Sequence, residues 1–170
     1  DNPLPFSVVV SPDFMPVETY GMTATVDLNG YLLRTEILKH SKRELNIMEN
    51  TNLSTAKSDE IVSVLGIDLL PFKKWQIALQ YSESRLGENT WLGRKNVQTI
   101  TSARVARAFV RDINFEIQLT SIAQDSSTLA QSILSVPISN QSEIRFGLDK
   151  FDGSETSSLG QYKNASRIWI

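Results

Sequence analysis

The chain has 170 residues, 41% hydrophobic and 21% charged, with a formal net charge of −2 and no cysteine. That balance belongs to folded globular chains and argues against extensive disorder. The missing thiols exclude disulfides, cysteine nucleophiles and cysteine-built zinc sites, and fit a reducing compartment.

No apolar run reaches the length of about 18 residues that reads as a membrane-spanning helix, so the chain is expected not to span a membrane and to meet one only peripherally. The opening "DNPLPF" lacks the basic and apolar regions of a signal peptide. Beginning at Asp1, the chain is expected to be a trimmed piece of a longer one. Asn52, Asn140 and Asn164 each open an N-x-S/T triplet, a pattern short enough to arise by chance.

In chain order, "SVVVS" (7–11) lies among Pro3, Pro5 and Pro12 and predicts an edge strand or extended arm, so residues 1–20 are assigned to an N-terminal arm. Met22, Ala24, Val26 and Leu28 alternate with polar neighbours, which predicts a half-buried strand, and Asn29-Gly30 favours a type I′ hairpin turn. Ile37, Leu38, Ser41, Leu45 and Met48 then fall at helical spacing, predicting a helix over 35–49. Ser58, with Asp59 and Glu60 behind it and Gly66 at the far end, predicts a second short helix. Strict alternation predicts strands at 75–81 and 113–119, separated by a long loop at 82–96. "DSSTLAQSILSV" reads as a capped helix stopped by Pro137, and Ile144, Phe146 and Leu148 as another strand. The expected fold class is therefore α+β: a single compact domain over 21–170, mainly antiparallel sheet with two or three short helices.

No catalytic constellation emerges. His40, the sole histidine, sits among Lys39, Lys42 and Arg43 without an orienting acid, and Asp59 and Glu60 would diverge on a helix. "DLNG" and "DKFDGSE" lack the alternating acids and closing glutamate of a calcium loop. The expectation is a non-enzymatic protein with no metal and no cofactor.

Charge is more informative. Residues 73–111 hold eight basic side chains (Lys73, Lys74, Arg85, Arg94, Lys95, Arg104, Arg107, Arg111) against two acidic ones, Glu83 and Glu88, while the flanks are net acidic. Such asymmetry predicts contact with an anionic surface or association between copies. Arg104, Arg107 and Arg111 would share one face of a helix, or split between faces of a strand. In "GIDLLPFKKW", apolar Leu69, Leu70 and Phe72 precede Lys73 and Lys74, an arrangement able to press into a membrane interface while the lysines meet headgroups.

The order "MTATVDL", "YLLRTEILKHSKREL", "DEIVSVLG" and "INFEIQLTSIAQDSS" resembles the globular core of rhabdovirus matrix proteins over residues 20–127. The resemblance implies a non-enzymatic α+β protein that self-associates and bridges ribonucleoprotein to an anionic membrane in the virion and host cytoplasm. It implies that Pro3, Pro5 and Phe6 dock on a neighbouring copy and that the cations of 73–111 face lipid or nucleocapsid. No basic run or proline-proline-x-tyrosine motif is present, so late-domain recruitment is not implied. A phage tail or capsid subunit, and a monomeric cytoplasmic ligand-binding α+β domain, are the alternatives from other classes.

Overall fold

A computed structural model describes residues 17–49, 52–72, 74–87, 95–109, 112–139 and 141–170. Nine strands run β1 Glu18–Asp27, β2 Tyr31–Glu49, β3 Asn52–Phe72, β4 Trp75–Leu86, β5 Val97–Ala108, β6 Asn114–Ile122, β7 Ser127–Ser139, β8 Ser142–Asp152 and β9 Arg167–Trp169. Each pairs antiparallel with the next in a single sheet ordered β1 to β9.

The α+β expectation is thus overturned: 77% of the described residues are strand, with no helix of seven or more residues among them. The segments 35–49 and 58–66, read above as helices, lie in β2 and β3; the third, 125–136, enters β7 at Ser127, and the Arg104–Arg107 segment lies in β5. Apolar residues occur at both parities in these segments, as at Ile37-Leu38 and Val64-Leu65, so one helical stripe can be drawn through them by chance. Cross-strand pairing on two sides then decides the conformation, because helix propensity is a weak preference that tertiary context overrides. The strands expected near 22–28, 75–81, 113–119 and 144–148 are present, β1 beginning at Glu18 inside the assigned arm.

Asn29 (φ 52°) and Gly30 (φ 97°) make the tight turn between β1 and β2, with both central residues left-handed as a type I′ turn requires. The Leu28 N–H donates to the Tyr31 carbonyl at 2.8 Å. Between His40 and Arg43 the β2–β3 register shifts, and Lys42 takes φ 58°. This bulge carries Arg43 to the face that holds Glu60, whereas uninterrupted alternation would have left it with Tyr31 and Ile37.

The two ends of the sheet differ. Connections at one end, 28–30, 73–74, 109–113 and 140–141, are all short; at the other, 50–51 and 123–126 are as short, 87–96 and 153–166 are longer, and the β2–β3 hairpin extends past its neighbours. There is almost no core: Leu86 and Ile122 are the buried hydrophobic residues among those described.

Candidate functional site: the two faces of the sheet

Residues directly opposite each other in an antiparallel ladder share a face, so the register assigns every strand side chain to one of two surfaces. One rung runs Tyr31, Leu69, Ile77, Val105, Ile117, Ser132, Leu148, Ile168 across eight strands. The next toward the long-loop end runs Val26, Leu33, Ile67, Leu79, Ala103, Leu119, Ala130 and ends at Lys150. Every exposed large hydrophobic residue with a registered strand partner lies on this face, from Tyr20 (64% exposed) to Ile168 (80%). Its ion pairs lie on the long-loop side of the apolar rungs: Lys39 with Asp59 at 3.0 Å, near mid-length of β2 and β3, Lys42 with Glu18 at 3.5 Å, and Arg85 with Glu83.

The apolar band slants across the rungs. The rung of Ala24, Thr35, Leu65 and Tyr81 becomes polar at Thr128 and Asp152, whereas that of Trp75, Arg107 and Phe115 becomes apolar at Leu134 and Phe146. A horizontal slab cutting strands tilted by about 35–45° produces such a slant.

The opposite face is richer in polar side chains, although Leu38, Val62, Ile100, Ile122 and Ile133 also lie on it. Arg34 pairs with Asp68 at 2.8 Å, Arg104 with Glu116 at 2.6 Å, and Arg145 with Glu143, while Gln76, Gln80 and Gln118 fill the rungs between. Every buried strand residue whose register assigns a face belongs here, among them Glu60 (1% exposed), Ser127 (0%), Asp149 (4%), Leu86 and Ile122. Side chains crowd on the inner side of a curved sheet and splay on the outer, so burial confined to the polar face marks that face as concave. Hollows of about 800 Å³ around Arg104, Glu116 and Arg145 and about 530 Å³ around Arg34, Asp68 and Gln118 lie on it. The apolar face carries a furrow of about 560 Å³ between Leu33, Leu65, Leu79 and Leu119.

At the long-loop end, 153–166 folds onto the polar face. The Ser127 hydroxyl (2.6 Å) and N–H (3.1 Å) donate to Asp125 Oδ1, and the Ser158 N–H donates to Oδ2 at 2.7 Å. Burial raises the proton affinity of Asp125, but these hydrogen bonds outweigh it and hold the carboxyl far below the usual carboxylate range. Asp149 accepts from Gln131 (2.9 Å), Arg167 (3.0 Å) and Trp169 (3.1 Å), and the Trp169 ring lies against Gly147, where a Cβ would meet it at 2.2 Å.

The cations singled out in the sequence are dispersed. Arg104 is on the polar face; Arg85 and Arg107 are on the apolar side at opposite ends; Lys74 is exposed in a turn; and Lys95 donates to the Gln124 carbonyl at 2.5 Å. Leu69 is in an apolar rung, and Leu70 and Phe72 belong to β3. Pro3, Pro5, Phe6, Lys73, Arg94 and Arg111 lie outside the described residues. His40 is half-buried, its ring nitrogen 3.0 Å from the Thr19 hydroxyl, and Asp59 and Glu60 point to opposite faces of β3 rather than opening a helix. Among the described residues no group of three or more His, Cys, Asp or Glu side chains could hold a metal.

No protein-family model, curated protein or solved structure matches this chain. The stacking of Arg107 on Trp75 and Phe109 and the continuous apolar rungs are the features that residue-by-residue scanning missed. Alternation within each strand signalled them, but only the register shows that eight strands put their apolar parity on one side.

Proposed function

We propose that this sheet is a stretch of the wall of a transmembrane β-barrel, with its apolar face against lipid and its concave polar face lining a water-filled interior open to polar solutes. The observation that carries the reading is the inverted distribution of polarity: exposed hydrophobic strand residues on one face, buried polar and charged residues on the other. In water such a chain leaves its apolar surface uncovered, whereas exposed apolar patches on water-dissolved monomers are ordinarily a few hundred Å². In a bilayer the same surface is matched.

Other features agree. Most of the strands are close to the 9–11 residues that cross a bilayer when tilted, at 10 in β1, 12 in β4 and β5, 9 in β6 and 11 in β8. The two long connections, 87–96 and 153–166, leave the same end of the sheet, and long loops gathered at one end are usual in such walls. Tyr31, Trp75 and Phe115 lie toward the short-turn end and Tyr20 and Tyr81 toward the other, as interfacial aromatic girdles do. No described helix is long and apolar enough to span a membrane, which leaves crossing by strands untouched.

The matrix-type reading shares the membrane contact, but the helices that supported that resemblance are strands here. A second reading, in which the apolar face packs against another copy, is favoured by the same exposed rungs alone.

Refolding the chain from denaturant into vesicles separates the readings. With Trp91 and Trp169 changed to Phe, Trp75 is the remaining tryptophan, and acyl-chain bromine should quench it. A lipid-free, stable homodimer with unquenched Trp75 would contradict the proposal.

A further inference from the structure

Arg34, Arg43, Arg85, Arg104, Arg145 and Arg167 each pair with a carboxylate. Among the described residues Arg107 differs: its guanidinium carbon lies 4.8 Å from the ring centroid of Trp75 and 4.8 Å from that of Phe109, and no carboxylate meets it. Ring faces meet the flat side of a guanidinium and hold it in place, but they leave its in-plane N–H donors without an oxygen acceptor. Arg107 shares its rung with Trp75 and Phe115, next to the turns at 73–74 and 109–113, and on the same side as Ile77, Val105 and Ile117. Lys74, exposed and likewise without a carboxylate partner among the described residues, is tied to this spot because the Ala108 N–H donates to its carbonyl at 2.9 Å.

We infer that Arg107 and Lys74 form a binding site for the phosphate of a phospholipid headgroup, at the short-turn boundary of the apolar face. The inference rests on the membrane-wall reading. At that depth the available anion is the headgroup phosphate, whose oxygens match the paired donors of an arginine and attract a neighbouring ammonium group. The acyl chains of the same molecule would continue along Ile77, Val105 and Ile117, which selects a lipid over a free anion.

The test is native mass spectrometry of the refolded full chain released from micelles. The micelles are doped with phosphatidylglycerol, or with a diacyl galactolipid of the same chains but no phosphate. The wild type should retain phosphatidylglycerol in preference to the galactolipid. Arg107→Gln should weaken that retention about tenfold, Arg107→Lys less, and Lys74→Gln by a smaller factor than Arg107→Gln. Arg85→Gln, at the other end, should leave it unchanged, and inorganic phosphate should not compete. Equal retention by Arg107→Gln in a chain that still inserts would overturn the site while sparing the wall. Equal retention of the galactolipid, or competition by inorganic phosphate, would also overturn it. A chain that does not insert at all would overturn both.

Discussion

Leu119 and Gln118 are neighbours in β6 with opposite surroundings, the first in an apolar rung and 49% exposed, the second among polar partners on the concave face. In a bilayer, Leu119→Arg should destabilise the folded sheet by about 2–4 kcal/mol in a denaturant titration from vesicles, whereas Gln118→Arg should cost little. For a water-exposed Leu119 the change would be near neutral, so the ratio of the two effects distinguishes the environments. Asp125 offers a pH dependence of definite sign. Its carboxyl binds a proton less readily in the folded protein than its ordinary value of 3.8 would allow. Its stabilisation is therefore fully present above that value and is lost progressively as pH falls below it. Amide-exchange protection at Ser127 and Ser158, corrected for intrinsic rates, should hold at neutral pH and decline in strong acid. Asp125→Asn should remove this dependence and cost about 1–3 kcal/mol of local stability, by weakening the acceptor that three donors share.

β2 shows how one residue redirects an element. Lys42 occupies the left-handed region at φ 58°, where a side chain is strained and glycine is not. Lys42→Gly should therefore be tolerated or stabilising. Deleting Lys42 should likewise be tolerated, because it removes the extra residue and leaves Arg43 opposite Ser58 on the face of the buried Glu60, whereas Arg43→Ala, which takes the guanidinium from that carboxylate, should destabilise the sheet. The same bulge explains why β2 was read as a helix: it interrupts the period of two midway, and Ile37, Leu38 and Leu45 then mimic a helical stripe. β3 misled because its polar face also carries Val62 and Val64 beside Gly66, so alternation is blurred exactly where a cap-like Ser58 precedes acids. β1, β4 and β6 were legible because their two parities differ sharply and turns bound them. At the far edge, Gly147→Ala should displace Trp169 and release β9 from β8, visible as a change in tryptophan emission, because the added Cβ would overlap the indole.

For the whole molecule, the sheet encloses almost nothing, and what it does bury is largely polar: Glu60, Ser127 and Asp149 lie inside while Leu65, Ile117 and Leu148 lie outside. A conventional two-layer domain would reverse these assignments. Among the described residues β1 pairs with β2 alone and β9 with β8 alone, so both edges carry backbone groups that in lipid must be met by further strands. The candidate surface was not legible as a surface, because the cations that drew attention separate by strand parity, and the apolar rungs exist only once eight registers are combined. The central claim is that one parity of every strand meets lipid and the other meets water. The absence of native cysteine allows single cysteines to be placed without background. The decisive measurement is spin-label accessibility in vesicles, to oxygen and to a water-soluble nickel chelate, at positions 64–69 of β3 and 116–119 of β6. Oxygen should be preferred at Leu65, Ile67, Leu69, Ile117 and Leu119, and nickel at Val64, Gly66, Asp68, Glu116 and Gln118. Accessibility without that alternation, or a reversal of the two parities, would contradict the account.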